Sequence, residues 1–327
     1  MRLIDVGGTF TDLIIESPRI TGNSAGVLVH KVPSTPEDQS IGVIQGVSEI
    51  CEMSGIALRE IEKIVHGTTI ATNSIIEYAG AEVGMLTTRG FRDILHLARH
   101  KRPHNFSMQF DVPWQSKPLV KRRNRIPIHE RILPPDGRVE TGLDEREVAL
   151  AAELLKKRAV DAVIICFIFS FLNNSHERRA KEIVKDILPN TYVSCSSEVA
   201  DVIREYERFS TTAMNAFVGP QTSFYLRNLE KSLRKKGVNA QIKMMQSNGG
   251  ITTISGGCER PVTLLMSGPA GGVIGGKWAG DLSNVKNLIT VDIGGTSADI
   301  SVIPRGEVRI MNPRDTKVGG YPILAPM

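Results

Sequence analysis

The residues richest in chemistry per position are Asp5-Val6-Gly7-Gly8-Thr9-Phe10-Thr11-Asp12. Gly7 and Gly8 leave backbone N–H groups open to an anion, and the hydroxyls of Thr9 and Thr11 add donors. Asp5 and Asp12 would repel a bare phosphate. They fit beside one only if a divalent cation lies between. The stretch Asp292-Ile293-Gly294-Gly295-Thr296-Ser297-Ala298-Asp299 repeats the pattern position for position. One Gly-Gly-Thr turn would suit an ordinary hairpin equally well. Two turns with matched acids point to a pair of phosphate–Mg²⁺ turns. Asp5 and Asp292, at strand ends, are assigned to Mg²⁺ or its water ligands. Gly7, Gly8, Thr9, Thr11, Gly294, Gly295 and Thr296 are assigned to the phosphates. Asp12 is placed with them, although it and Asp299 could either orient a water or hold their hairpins together. Which acid would be the general base is left open.

Other polar groups collect at strand ends between the two turns. His66 follows an apolar run and precedes Gly67-Thr68-Thr69, with Asn73 one helical turn beyond Thr69. A histidine there, among small donors, suits contact with a substrate or a transferring phosphoryl group. His66 is therefore grouped with Asp5, Asp292 and Asp299 as catalytic. Thr68, Thr69, Asn73, Arg89 and Asn248 are expected to face substrate, Arg89 as a bidentate donor to an anion and Asn248 from a second glycine turn, Ser247-Asn248-Gly249-Gly250.

The elements that must position these groups follow from periodicity. Short apolar runs flank each acidic turn, which predicts two hairpins. Val27 to Val32 reads as a strand, and Ser34 or Thr35 as the cap of a helix beginning at Pro36 and ending at Gly55. Further strands are expected at 61–65, 83–86, 162–167, 191–194, 241–246 and 307–311, with helices at 70–78, 144–158 and from Asn173 or Asn174 to Leu188. Gly219-Pro220 should divide 198–236 into two helices. Ser267 opens a glycine-rich helix. Residues 88–140, rich in Arg, Pro and His, read as a lobe outside the main sheet. Strand–helix alternation of this kind predicts an α/β protein with a mixed sheet flanked by helices.

Composition agrees. The chain has 327 residues, 41% hydrophobic, 23% charged and only 5% aromatic, so the core must rest on aliphatic side chains. A formal charge of +5 is modest for that length and gives no reason to expect nucleic-acid binding. The basic run Lys121-Arg122-Arg123-Asn124-Arg125 reads as a solvated loop or a subunit contact. Cys51, Cys166, Cys195 and Cys258 are far apart and form no CxxC pair, which argues against structural zinc and for a reducing cytoplasm. No basic leader precedes an apolar stretch, and no apolar run is long enough to span a membrane. Few residues follow Asp299, so the domain that the second hairpin should open is expected to be truncated.

Two such hairpins resemble those of the actin, sugar-kinase and heat-shock-chaperone superfamily, whose domains close on ATP and Mg²⁺. Within it the sequence resembles the hydantoinase A and 5-oxoprolinase family, which includes acetone carboxylase subunits. The resemblance rests on both hairpins and on His66-Gly67-Thr68-Thr69-Ile70-Ala71-Thr72-Asn73, Thr87-Thr88-Arg89-Gly90-Phe91-Arg92-Asp93, Glu205-Tyr206-Glu207-Arg208, Gln246-Ser247-Asn248-Gly249-Gly250 and Ser267-Gly268-Pro269-Ala270-Gly271-Gly272. It implies an actin-like (RNase H-like) ATPase fold, with an N-terminal domain over 1–195 and the start of a hydantoinase A domain from 196. It also implies ATP-dependent opening of a cyclic amide by phosphorylation of the amide oxygen, with ATP and Mg²⁺ as cofactors, a hydantoinase B-like partner and a heteromeric, cytoplasmic enzyme. Such a fragment alone should be inactive. The alternatives are a ketone carboxylase subunit and a non-catalytic nucleotide-binding module.

Overall fold

A computed structural model describes residues 2–20, 26–35, 38–100, 106, 111–293, 298–312 and 315–324. The first hairpin is β1 (Arg2–Val6) and β2 (Phe10–Glu16), followed by β3 (Val27–Pro33). Helix α1 (Gln39–Ser54) is capped by Asp38, whose side chain accepts from the Ser40 N–H, and ends on left-handed Gly55. The expected cap at Ser34 or Thr35 is thus displaced. Thr35 instead accepts from the Gly42 N–H, and Ser34 is taken up by the glycine turn. Then come β4 (Lys63–Thr68), α2 (Ile70–Ile76), β5 (Val83–Thr88), α3 (Ile94–Leu97), α4 (Pro113–Ser116), β6 (Arg125–Ile128) and the small hairpin β7 (Arg131–Leu133) and β8 (Arg138–Thr141). Helix α5 (Glu145–Lys157) fills most of the expected span, with Asp144 outside it as the cap, acids in its first turn and lysines in its last. It is followed by β9 (Ala162–Cys166), α6 (Ser175–Ile187), β10 (Tyr192–Cys195), α7 (Ser196–Val199) and the long α8 (Glu205–Lys235). The chain closes with β11 (Gln241–Met245), β12 (Ile251–Thr253), α9 (Ile254–Glu259), α10 (Ser267–Leu282), the second hairpin β13 (Leu288–Ile293) and β14 (Ala298–Ile303), and the short pair β15 (Lys317–Val318) and β16 (Tyr321–Pro322).

Two compact units result. Unit 1 comprises 1–73, 222–311 and 326–327; unit 2 comprises 74–221 and 312–325. Unit 1 carries a mixed six-stranded sheet in the order β12-β11-β4-β1-β2-β3, with β1, β4 and β11 parallel and the rest antiparallel. Ile4, Val6, Leu13, Ile15 and Ile64 pack with Val43, Val47 and Ile50 of α1 and with Leu226 and Leu229 of α8. Unit 2 carries a four-stranded, wholly parallel sheet, β10-β9-β5-β6. Its central strands β5 and β9 are buried at every residue, as strands of a parallel sheet are.

Three expectations are corrected. Residues 88–140 are not wholly outside the main sheet, because β6 pairs in parallel with β5 from Met85↔Arg125 to Thr88↔Ile128. Its four residues are too short for a periodic signal. Residues 198–236 do not break at Gly219-Pro220; one helix runs through Pro220. Proline removes the helical hydrogen bond to the Ala216 carbonyl, but burial of Ala216, Phe217, Val218 and Thr222 on both sides holds the helix, and the next carbonyl, that of Phe217, accepts the Ala81 N–H. Residues 307–311 join no ladder among the described residues, because apolar alternation supplies no neighbour for the backbone groups. Among the described residues no helix is long and apolar enough to cross a membrane, and the four cysteines are buried and outside any disulfide.

Candidate functional site

Strand pairing builds the site in unit 1. Ile4 and Val6 face the core, so the pleat turns Asp5 to the opposite face. Cross-strand partners share a face. Gly67, Asp5, Asp12 and Lys31 therefore form one row across β4, β1, β2 and β3. Lys31 Nζ reaches Asp12 Oδ1 at 3.1 Å, so Asp12 has its own counter-charge. Among the described residues Asp5 has none. Its Oδ1 is buried and makes no hydrogen bond with them. Burial first, and then the charges of Asp292 and Asp12, raise its pKa to about 6.

What keeps Asp5 accessible is missing side chains. A Cβ on Gly67 would stand 2.8 Å from Asp5 Oδ1, and one on Gly268 would stand 3.3 Å away. Gly268 opens a stripe along α10, the glycine-rich helix. Gly268, Gly272, Gly276 and Gly280 recur every fourth residue and so share one helix face. A Cβ on these would meet, in turn, Asp5 Oδ1 at 3.3 Å, Asp292 Oδ2 at 3.9 Å, Thr290 Cγ2 at 2.3 Å and Leu288 Cδ1 at 2.3 Å. The stripe lets β13 lie directly along the helix and sets Asp5 and Asp292 one helical turn apart. The spacing-of-four signal was in the sequence and identifies residues that the motif reading missed.

The Gly-Gly-Thr turn is held from below. The Ser34 hydroxyl donates to the Gly7 carbonyl at 2.9 Å, its N–H donates to the Thr9 carbonyl at 2.9 Å, and Gly7 N–H donates to Phe10 O at 3.0 Å. Thr11 is fully buried with its hydroxyl 3.0 Å from that of Ser34, so it braces the turn from the core side instead of lining it. Gly8 and Thr9 are exposed at the tip. In the second hairpin Asp292 pairs opposite Asp299, as Asp5 does opposite Asp12. Gly294, Gly295 and Thr296 lie outside the described residues.

The His66 motif ties β4 to its neighbours. Thr68 is fully buried, and its backbone N–H and carbonyl bracket the Ser267 hydroxyl at 3.3 and 3.0 Å, which fixes the start of α10. The Thr69 hydroxyl donates to Val6 O at 3.2 Å and accepts from Asn73 Nδ2 at 3.2 Å. Asn248 is exposed and folds onto its own turn, accepting from the Gly250 N–H at 2.8 Å. Arg89 belongs to unit 2, where it pairs with Glu147.

His66 itself departs from expectation. It is fully buried, and both ring nitrogens are taken by protein atoms. Nδ1 lies 3.2 Å from the Ile4 carbonyl, which only accepts, so Nδ1 carries the proton. Nε2 then accepts from the Tyr225 hydroxyl at 2.7 Å. Burial lowers the His66 pKa to about 4 and raises that of Tyr225. With no nitrogen left for a ligand, the ring is a strut between β1 and α8. The linkage has a definite sign. The unfolded state takes up the proton first, near the ordinary value of 6.5, and the folded state only near 4. The stability from neutral His66 is therefore complete above 6.5 and is lost as pH falls to about 4, in total about 3 kcal/mol. Asp5, with its raised pKa, acts oppositely from 3.8 to about 6. Comparing urea midpoints of the parent and His66→Gln across this range isolates the histidine: the variant should lose less stability on acidification, and equal pH slopes would reject the assignment.

Chemically, the arrangement is two carboxylates on two glycine hairpins converging on the first turns of one helix. One carboxylate oxygen is buried without a donor, and mutual repulsion raises its proton affinity. An oxygen-only donor set with excess negative charge suits Mg²⁺. Backbone N–H groups at the Gly7-Gly8-Thr9 tip suit the phosphates that such an ion would carry.

Comparison with known proteins gives matches along nearly the whole chain. The model of the hydantoinase/oxoprolinase N-terminal region matches residues 2–188, and that of hydantoinase/oxoprolinase matches 208–327. Caprolactamase subunit alpha from Pseudomonas jessenii is 34% identical over 99% of this chain, which covers 46% of that protein. The crystal structure of ATP-dependent caprolactamase from that organism superposes with a TM-score of 0.83 over 100% of this chain and 46% of its own. The nucleotide-free structure of acetone carboxylase superposes with a TM-score of 0.87 at 25% identity, over 100% of this chain and 47% of its own. 5-Oxoprolinase of Dictyostelium discoideum is 28% identical over 99% of this chain and 28% of its own length. The chain thus spans about half the length of the first curated relatives it matches, and its fold is of the actin-like ATPase type.

Proposed function

This chain belongs to the hydantoinase/oxoprolinase family, and from that premise we propose that it is the N-terminal portion of an enzyme that uses ATP to hydrolyse a cyclic amide. The observation that carries the proposal is Asp5. An acid kept buried, undonated and at raised pKa beside Gly67 and Gly268 is costly to the fold and useful only with a cation. The cyclic-amide class is supported by the likeness to caprolactamase and 5-oxoprolinase.

In the proposed reaction the amide oxygen takes the γ-phosphoryl group of ATP and ADP leaves. Water then adds to the activated carbon and the C–N bond breaks as the ring nitrogen takes a proton, leaving an acyl phosphate; a second water cleaves that to inorganic phosphate and the ring-opened amino acid. A lactam needs this because amide resonance makes its carbon a poor electrophile. Mg²⁺, when bound, supplies neutralisation of the transferring charge. Asp5 and Asp292 would hold it. The Gly7-Gly8-Thr9 tip binds phosphate oxygens, and Gly294, Gly295 and Thr296 are assigned the same role. Asp12, paired with Lys31, and Asp299 keep the hairpins in register. The substrate-facing roles of Thr68, Thr69, Asn73, Asn248 and Arg89 remain part of the proposal, Thr68 and Thr69 through the backbone they fix. The family division, an N-terminal domain over 1–195 and a hydantoinase A domain from 196, is part of it too. So are a hydantoinase B-like partner, an oligomeric enzyme and a cytoplasmic setting; the partner is supported by the subunit composition of caprolactamase.

The likeness to acetone carboxylase favours a second reading, ATP-dependent carboxylation of a ketone. ADP release by the full-length protein with its partner subunit, assayed with caprolactam, 5-oxoproline, hydantoin, and acetone plus bicarbonate, separates the two. Stimulation by a lactam supports the first. Stimulation by the ketone mixture alone replaces it with the second.

A further inference from the structure

The basic run 121–125 is not uniformly a solvated loop. The Arg122 side chain is 62% exposed, whereas that of Arg125 is 1% exposed. Arg125 gives Nε and Nη2 to the Val120 carbonyl at 3.0 and 2.8 Å. Its Nη1 is buried and makes no hydrogen bond among the described residues; Asp93 Oδ1 is 4.0 Å away, beyond hydrogen-bonding reach. Arg92 donates Nη2 to the Arg122 carbonyl at 3.1 Å, and its Nε is likewise buried with no partner among the described residues. Asp93 does not meet either donor: its Oδ1 is 4.0 Å from Arg125 Nη1, it makes no bond to Arg92 Nε, and its two oxygens accept from Arg122 Nε and Nη2 at 2.9 Å each.

Three guanidiniums thus surround one carboxylate, and all of them belong to unit 2. Leu95, Leu119 and Val120 are buried among the same segments and keep the local dielectric low. Guanidinium does not shed its proton to escape this. An unmet buried donor on a charged group is expensive, and a water would meet the donor without balancing the charge.

We propose that Arg92, Arg122 and Arg125 form a binding site for a small oxyanion, a carboxylate or phosphate group, which accepts Arg92 Nε–H and Arg125 Nη1–H beside Asp93. The site is separate from the Asp5 residues and does not depend on the proposed reaction. Planar guanidiniums suit either group, since both present paired oxygens.

The test is calorimetric titration of the full-length protein with inorganic phosphate and with acetate, at constant ionic strength. At least one should bind saturably. Arg92→Met should weaken it about tenfold or more, and Arg125→Met should remove it. Asp93→Asn should tighten it severalfold by removing the competing carboxylate, a gain that a purely structural cluster would not give. If Arg125→Met does not fold, the Arg92 and Asp93 variants carry the test. Preference for phosphate or for acetate names the source. Absence of saturable binding for both at concentrations on the order of 10 mM overturns the proposal. So does equal affinity in the parent and Arg92→Met.

Discussion

Asp5→Asn should reduce Mg²⁺-dependent ATP turnover by about 10²–10³-fold while leaving the fold as stable as the parent or more so. The two halves of this expectation share one cause. Asp5 holds its carboxylate with Oδ1 buried and undonated, near a second acid, and its pKa rises from 3.8 to about 6. At neutral pH that represents about 1–3 kcal/mol of destabilisation in the protein without ligand. A neutral amide of the same shape removes the cost and also the charge that would hold the cation. Function and stability therefore move in opposite directions, as they do where a site stores strain for its ligand. Gly67→Ala provides a separate check. Its new Cβ would stand 2.8 Å from Asp5 Oδ1, so the carboxylate must turn away while remaining in the protein. Turnover should fall at least about tenfold, with little change in melting temperature. Full activity in Asp5→Asn, or loss of activity only through unfolding, would sink the assignment.

The largest effect on stability is expected in unit 2, at Glu177→Ala. Glu177 is fully buried and accepts from Phe167 N–H at 3.0 Å, Ser196 Oγ at 2.6 Å, Ser197 N–H at 2.9 Å and Ser197 Oγ at 2.7 Å. Burial raises its pKa, and those donors act against the rise. Arg208 completes the cluster. Its Nε, Nη1 and Nη2 donate to Ser196 Oγ, Val202 O and Phe167 O at 3.1, 3.1 and 2.8 Å, and its guanidinium lies over Phe171 and Phe209. The residues hold together the loops that follow β9 and β10 and the start of α8. Removing the carboxylate strands two backbone N–H groups and takes from the buried Arg208 charge the strongest of the acids acting on it, leaving the lesser influence of Glu205 and Asp201. The cost should be about 3–5 kcal/mol, with a melting temperature lower by roughly 10 °C. Glu177→Leu combined with Arg208→Met should lose less than the sum of the two single changes, because the double variant buries no lone charge. Additive losses, or a Glu177→Ala cost below about 1 kcal/mol, would show that the cluster is not acting as one unit.

These two sites differ in how far the sequence revealed them. The Asp5 turn was legible because its parts are neighbours along the chain: an acid, two glycines and a hydroxyl residue between apolar runs allow few conformations. The duplicate at Asp292 was legible for the same reason. The Glu177–Arg208 cluster was not, since its members are separated by 31 residues and either alone reads as a surface charge. His66 shows the same failure in reverse. A strand-end histidine suggested chemistry, but its ring meets Tyr225, 159 residues away, inside the sheet. Arg125 reads as one more charge in a basic run until β6 is seen to draw it into the parallel sheet.

By itself the sequence determined the α/β class, the two acidic glycine hairpins, the span of α5 and the family, because each is carried by local backbone preference or by short contiguous motifs. The tertiary structure decided which motif residues face a ligand and which face the core. Thr11 and His66 turned inward, while Asp5 was left bare between Gly67 and Gly268. Tertiary structure alone could decide this, because burial depends on the neighbouring strand and helix, and no residue carries that information in its own chemistry. The glycine stripe of α10 stands between the two cases. Its spacing was printed in the sequence, but its meaning, a helix face flat enough for β13 to set Asp292 beside Asp5, exists only once the hairpin lies against it.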